Sequence, residues 1–215
     1  MRYLNIIIVI LMLFISSCED NERIITIEGK VIDPNQDIEL TNTEIDVYTK
    51  DASNGTVSYV FEHYKTIYSD TEGKFKIEIP FTYTLAYKLE FENSMYFGNT
   101  LEIQSEDIEN DNYYEIVNMY PESYLNLHIE NEFSYDENDK LTYHIIDWNT
   151  SCDGCCPPGF HEYIGDDINE TISCKVIGEI EYTIEYIVFK NGNSNAFQRI
   201  VNCPAFEQVF VDISF

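Results

Sequence analysis

The sequence predicts an all-β protein, two antiparallel β-sandwich domains behind an N-terminal export segment. Three observations predict it. Apolar and polar residues alternate with a period of two in runs spread from Ile25 to Phe215. Beyond Cys18 no stretch sustains the 3.6-residue period of an amphipathic helix. Turn-forming clusters separate the runs: Asp33-Pro34-Asn35, Ser53-Asn54-Gly55, Asp70-Thr71-Glu72-Gly73 and Asn191-Gly192-Asn193. With 215 residues, 44% of them hydrophobic, the chain can bury a real core and is too apolar for a disordered acidic tail.

The first element is the export segment. Arg2 is the only charge before Cys18, and Leu4 to Ile15 is apolar except for Asn5. Twelve helical residues rise about 18 Å, short of the roughly 30 Å of a bilayer's hydrocarbon core. The layout is that of a secretory signal, a basic start followed by an apolar stretch and small residues. It ends in Ile15-Ser16-Ser17-Cys18, which resembles the lipobox of bacterial lipoproteins. The resemblance implies a signal peptide over 1–17, cleavage before Cys18, and a diacylglycerol on its sulfur. A third acyl chain (palmitate is typical) on the new amine then completes an anchor of two or three chains, which holds stably. The acidic run Glu19-Asp20-Asn21-Glu22 resembles the surface-export signal of Bacteroidota lipoproteins. Residues 18–23 are read as a lipidated tether.

The strands follow in order. Ile25, Ile27 and Val31 alternate with Thr26, Glu28 and Lys30; Ile45 and Val47 alternate with Glu44, Asp46 and Tyr48. Phe75, Ile77 and Ile79, then Tyr87, Leu89 and Phe91, repeat the pattern against lysines and glutamates. So do Leu125, Leu127 and Ile129; Ile180, Tyr182, Ile184 and Tyr186; and Val209, Val211, Ile213 and Phe215. One face of each strand is apolar and the other polar, as in antiparallel sheets packed on one side. The acidic stretch Ser105 to Asn112 reads as a loop. Pro121 cannot donate to a β-ladder, so the domains are placed at 24–120 and 121–215. No repeat of fixed period is legible.

The first domain carries a recognisable outline. Ile27-Glu28-Gly29-Lys30-Val31 opens it, and Asp70-Thr71-Glu72-Gly73-Lys74-Phe75 forms a hairpin. The pair resembles the Gly-x-Val strand and Asp-x-x-Gly-x-Phe hairpin of the carboxypeptidase regulatory-like domain, a transthyretin-like β-sandwich. That resemblance implies a non-catalytic folding or binding module over about 24–119. The glycine that the family often has after its first strand is absent here. The second half matches no family outline.

Such domains often accompany zinc carboxypeptidases, but no His-x-x-Glu or His-Glu-x-x-His is present. Nor is there a Gly-x-Ser-x-Gly elbow, a phosphate loop or a dinucleotide fingerprint. No catalytic residue, metal site or cofactor is therefore assigned. The concentrated feature is Cys152-Asp153-Gly154-Cys155-Cys156-Pro157-Pro158-Gly159-Phe160-His161, with Cys174 and Cys203 completing the set. An exported chain sits where disulfides persist. The five thiols beyond Cys18 are disulfide candidates that leave one unpaired, and spacing does not choose the pairing. A Cys174–Cys203 bridge, for example, would contribute roughly 3–4 kcal/mol in the chain-entropy model. Two other readings stay open: a metal site on Cys152, Cys155, His161 and one more thiol, and a thiol- or metal-dependent enzyme using the Cys152–His161 cluster. The first has only half of a ligand motif. The second needs a helix to activate the thiol, which Gly154 and the double proline disfavour.

Trp148, Phe160 and His161 are the candidate binding residues, aromatic groups beside the cysteine loop. His128 and His144 fall on polar strand faces and read as solvated. The chain carries 39 Asp+Glu against 12 Lys+Arg, a net charge of −27. Each phosphate contact needs a cation, so nucleic acid is excluded as a partner. The expectation is a lipid-anchored protein of the cell envelope, on an outer membrane and facing the periplasm or the exterior. It would bind or assemble with a glycan or a protein and catalyse nothing. The rival structural role is a subunit joined by β-strand addition.

Overall fold

The computed structural model describes residues 23–53, 56–57, 60–146, 152 and 154–215. The lipidation site Cys18 and the candidate Trp148 lie outside the described residues. Strands hold most of the described residues, and no α-helix occurs among them. The first half holds β1 (Ile24–Asp33), β2 (Ile38–Glu39), β3 (Glu44–Ser53), β4 (Thr56–Val57), β5 (Glu62–Tyr68), β6 (Lys74–Pro80), β7 (Thr84–Glu92), β8 (Asn99–Gln104) and β9 (Asn112–Asn118). The second holds β10 (Glu122–Glu130), β11 (Lys140–Ile146), β12 (His161–Ile164), β13 (Asn169–Ile177), β14 (Ile180–Lys190), β15 (Asn193–Cys203) and β16 (Gln208–Ser214). One 3₁₀ turn, Ser105–Asp107, sits in the acidic stretch read as a loop.

The alternating residues face inward as expected, and they form two separate cores. Ile25, Ile27, Val31, Ile45, Val47, Phe75, Ile77, Leu89 and Phe91 belong to one. Leu125, Leu127, Ile129, Tyr182, Ile184, Val211 and Ile213 belong to the other. In the second a three-strand sheet faces a four-strand sheet; in the first the same arrangement is extended by the two-residue strands β2 and β4.

Apart from the two-residue strands β2 and β4, which only the first has, the two sandwiches have the same topology. In the first, β1 lies between antiparallel β6 and parallel β9, and the facing sheet runs β5-β3-β7-β8. In the second, β10 lies between antiparallel β13 and parallel β16, and the facing sheet runs β12-β11-β14-β15. The registers correspond too. Ile32 pairs with Asn118 in the first and Glu130 with Ser214 in the second. Ile45 pairs with Ile67 and Phe91, and Leu141 with Tyr163 and Val188. Corresponding residues lie roughly 97 positions apart along the whole chain, so the protein is one module built twice. The expectation of no fixed repeat is corrected. What repeats is inward-facing hydrophobicity, not residue identity: Ile27 answers to Leu125 and Gly29 to Leu127.

Gly29 marks where the first copy is tightest. A Cβ there would lie 2.3 Å from the Glu115 carbonyl oxygen and 2.6 Å from the Phe75 ring. The Gly-x-Val strand and the Gly-x-Phe hairpin therefore meet: Gly29 pairs with Phe75, and the ring lies over the space a side chain would fill. Gly29→Ala is expected to destabilise the first sandwich by about 1–3 kcal/mol through overpacking, read as a lower first-module melting transition with the second unchanged.

Each sandwich closes one pole with a polar knot at the same place. Thr43 and Asp139 stand just before β3 and β11, and both are fully buried. In the first module the knot is neutral. The Thr43 N–H donates to Ser69 Oγ at 2.9 Å, and Asn93 Nδ2 donates to Thr43 Oγ1 at 2.8 Å. In the second it is ionic. Asp139 Oδ2 accepts from the Tyr135 N–H at 2.6 Å and from Asn131 Nδ2 at 3.2 Å, with Lys190 Nζ 3.7 Å away. Lys190 also donates to Asn131 Oδ1 at 2.8 Å and to the Phe133 carbonyl at 2.6 Å.

The modules meet around Pro121. The Glu122 N–H donates to the Met95 carbonyl and the Gly178 N–H to the Pro121 carbonyl, and the Tyr96 ring lies 5.3 Å from that of Phe206.

Candidate functional site

The second module differs from the first mainly in what joins β11 to β12. There the chain leaves the four-strand sheet and reaches the edge of the opposite one. The Lys175 N–H donates to the Gly154 carbonyl at 2.8 Å, and the Cys156 N–H donates to the Lys175 carbonyl at 3.2 Å. The loop thus occupies backbone groups that β13 would otherwise present as an open edge. That pairing brings Cys156 beside Cys174, Cα to Cα 4.7 Å, and the two form a disulfide. Cys152 and Cys155 form a second one, at 5.1 Å.

Cys203 is left as a free, buried thiol. It is the one candidate that the odd count leaves unpaired, and the Cys174–Cys203 bridge is corrected to Cys156–Cys174. β-Pairing along β13 delivers Cys156 to Cys174, whereas Cys203 ends β15 in the opposite sheet. Burial pushes the Cys203 thiol up to about 11, so it stays protonated and unreactive at neutral pH. Four of the five thiols are thus paired in disulfides. Among the described residues no group of three His, Cys, Asp or Glu is placed to hold a metal ion.

From the brace the chain runs to Phe160, 72% exposed, whose ring sits 4.4 Å from that of His144. His161 turns the other way. It pairs with Tyr143 across β12–β11, its ring 5.1 Å from the tyrosine's, and its Nε2 lies 3.0 Å from the Pro157 carbonyl oxygen. The two neighbours Phe160 and His161 therefore do not share a surface.

Phe160 instead roofs one end of a groove of about 490 Å³ on the outer face of the four-strand sheet. Its floor is two cross-strand rows. Thr142, Ile187 and Ala196 make one; His144, Glu185 and Gln198 make the other. Ala196, the smallest of these, sets the depth. His144 Nε2 lies 3.7 Å from Glu185 Oε2. The groove offers ring faces, a methyl floor and one polar row, and contains no cysteine, serine or lysine nucleophile. Its open, elongated shape suits an extended or flat ligand.

Sequence reasoning missed His144, Ile187 and Ala196. His144 was read as merely solvated. Only the register of β11, β14 and β15 places the three in adjacent rows. One signal was available: no Asp or Glu occurs from Tyr186 to Phe206, in a chain otherwise dense with them.

The chain is thus a tandem β-sandwich protein whose second module carries a disulfide-bonded loop and a surface groove. No family model and no curated protein matches it. Among solved structures it is similar to the Bacillus anthracis TIE protein at 13% identity, over 89% of this chain and 34% of that one, with a TM-score of 0.38. It is also similar to a streptococcal ancillary pilin, at 9% identity over 90% of this chain and 63% of that one, TM-score 0.36. A shaft pilin of Lactobacillus rhamnosus GG matches at 9% identity, over 89% and 96%, TM-score 0.33. The chain spans about a third of the first of these proteins and under two thirds of the second. Likenesses at this level define neither a family nor an activity.

Proposed function

We propose that this chain is a non-catalytic binding or assembly module of the cell envelope, held at the outer membrane by lipid on Cys18. Its first sandwich, with the carboxypeptidase regulatory-like motifs, is the support. Its second carries the ligand, a protein segment or a glycan chain, in the groove under Phe160. The observation that carries this reading is the groove itself. Its roof is the Phe160 ring, one row of its floor carries Ile187 and Ala196, and in the other row His144 and Glu185 face each other. The membrane is the other partner, reached through the acyl chains and not through charge, because a net −27 repels anionic lipid.

Screening the protein against glycan arrays and against separated envelope proteins tests the groove. The expected result is a ligand whose binding falls at least tenfold in Ala196→Phe, which fills the floor, and in Phe160→Ala, which removes the roof. A ligand indifferent to both changes, or turnover of a substrate that His144→Ala abolishes, would overturn it. Incorporation of a labelled fatty acid, lost in Cys18→Ala, tests the anchor.

A further inference from the structure

Leaving aside the two-residue β2 and β4, the sheets end in eight edge strands, of which β13 is already partly paired by the cysteine loop. An exposed edge is a template for pairing, which proteins blunt with charge, proline or cover. Seven of the eight edge strands here carry at least one carboxylate: Glu62 on β5, Glu78 on β6, Glu102 on β8, Glu115 on β9, Glu162 on β12, Glu170 on β13 and Asp212 on β16. β15 carries none. It is also the longest of the eight, eleven residues from Asn193 to Cys203, and it makes a ladder with β14 alone. Phe197 is 47% exposed and Ile200 62%. Its one charge is Arg199.

We infer that β15 pairs antiparallel with β15 of a second copy of this chain. The strand is complementary to itself. In a two-fold arrangement centred on Gln198, Phe197 of each copy faces Arg199 of the other, a cation over a ring, and Ala196 faces Ile200. No like charges oppose each other. That matters in a protein of net charge −27, because two copies can approach closely only where carboxylates are missing. The same argument disfavours the other seven edges, each of which would bring acidic side chains together. The product is a continuous eight-stranded sheet across two chains, closed by its own symmetry. Its two grooves open on the same side, so the pair would hold a repetitive ligand at two points and gain avidity. The pairing does not depend on what the groove binds.

Sedimentation of the chain from residue 19 onward, which contains every described strand, tests the inference. The expected result is a concentration-dependent passage from one chain mass to two. The passage should move to lower concentration as salt is raised, since screening relieves the repulsion between two acidic bodies. Phe197→Glu and Ile200→Glu should each hold the protein at one chain mass with an unchanged circular dichroism spectrum. In the exported full chain, Gln198→Cys should give a disulfide-linked dimer on a non-reducing gel. A single chain mass at every concentration and salt would overturn the inference. So would a dimer that survives both glutamate substitutions.

Discussion

Replacing Asp139 by alanine is expected to destabilise the second sandwich by about 3 kcal/mol, the lower end of the range for breaking a buried ion pair. The lower end applies because the Lys190 side chain keeps 22% of its exposure and can partly rehydrate. The loss reaches further than one pair. The Tyr135 N–H and Asn131 Nδ2 would lose their acceptor, and the Gly165 and Asn131 contacts that tie β12 to β10 would loosen. Thermal unfolding should show the second-module transition shifted down and the first unmoved. An unmoved second transition would show that the knot is dispensable.

The same residue gives the second module its acid response. Burial pushes the Asp139 carboxyl up, but the Tyr135 N–H, the Asn131 amide, the Lys190 ammonium and the Asp136 backbone outweigh it and hold the carboxyl below its usual range. A depressed carboxylate stabilises the folded state fully above its unfolded pKa, and that contribution disappears as pH falls through the folded value. The second sandwich should therefore weaken as pH drops below about 4, where unfolded carboxyls protonate. Asp139→Asn should flatten that slope. The neutral knot of Thr43, Ser69 and Asn93 should leave the corresponding pole of the first sandwich insensitive.

Removing the Cys156–Cys174 bridge, as the double alanine variant, is expected to cost about 3 kcal/mol by the chain-entropy estimate for a loop near this length. Here the bridge ties the β11–β12 connection to β13, so its loss also frees the segment that aims Phe160. Two readouts follow: a lower second-module melting temperature, and cleavage of the 152–160 segment by a protease that spares the intact protein. Cys152→Ala with Cys155→Ala should do far less to stability, because that bridge spans only three residues. Alkylation of the native protein should leave Cys203 unmodified until denaturant is added. Equal effects of the two bridges, or rapid alkylation of Cys203, would contradict the assigned pairing.

The fold class was legible because each core strand with one wet face writes a period of two into the chain. Two of the strands that were not legible, β9 and β15, break that rule for identifiable reasons. β9 places Glu115 in register with inward Tyr113 and Val117, beside Gly29, where there is no room for a larger apolar group facing in. β15 is exposed on both faces over residues 193–200, so neither face needs to be apolar. The duplication escaped notice because packing constrains volume and polarity at corresponding sites, and Gly29 and Leu127 satisfy that without resembling each other. The cysteine loop was found at once, but its pairing was not. The partner of Cys156 is set by backbone hydrogen bonds between Gly154, Cys156 and Lys175, and such bonds leave no mark on side-chain identity.

The all-β class, the inward residues of seven strands and the turns at Asp70–Gly73 and Asn191–Gly192 were legible in the chain alone. They depend on local periodicity and local turn chemistry, both properties of the chain read in order. Tertiary structure alone decided that the module occurs twice, which thiol stays free, that Phe160 and not His161 faces the groove, and which edge lacks carboxylates. Each of these depends on register between strands far apart in the chain. Shifting one strand by a single residue exchanges its two faces, while its composition stays the same.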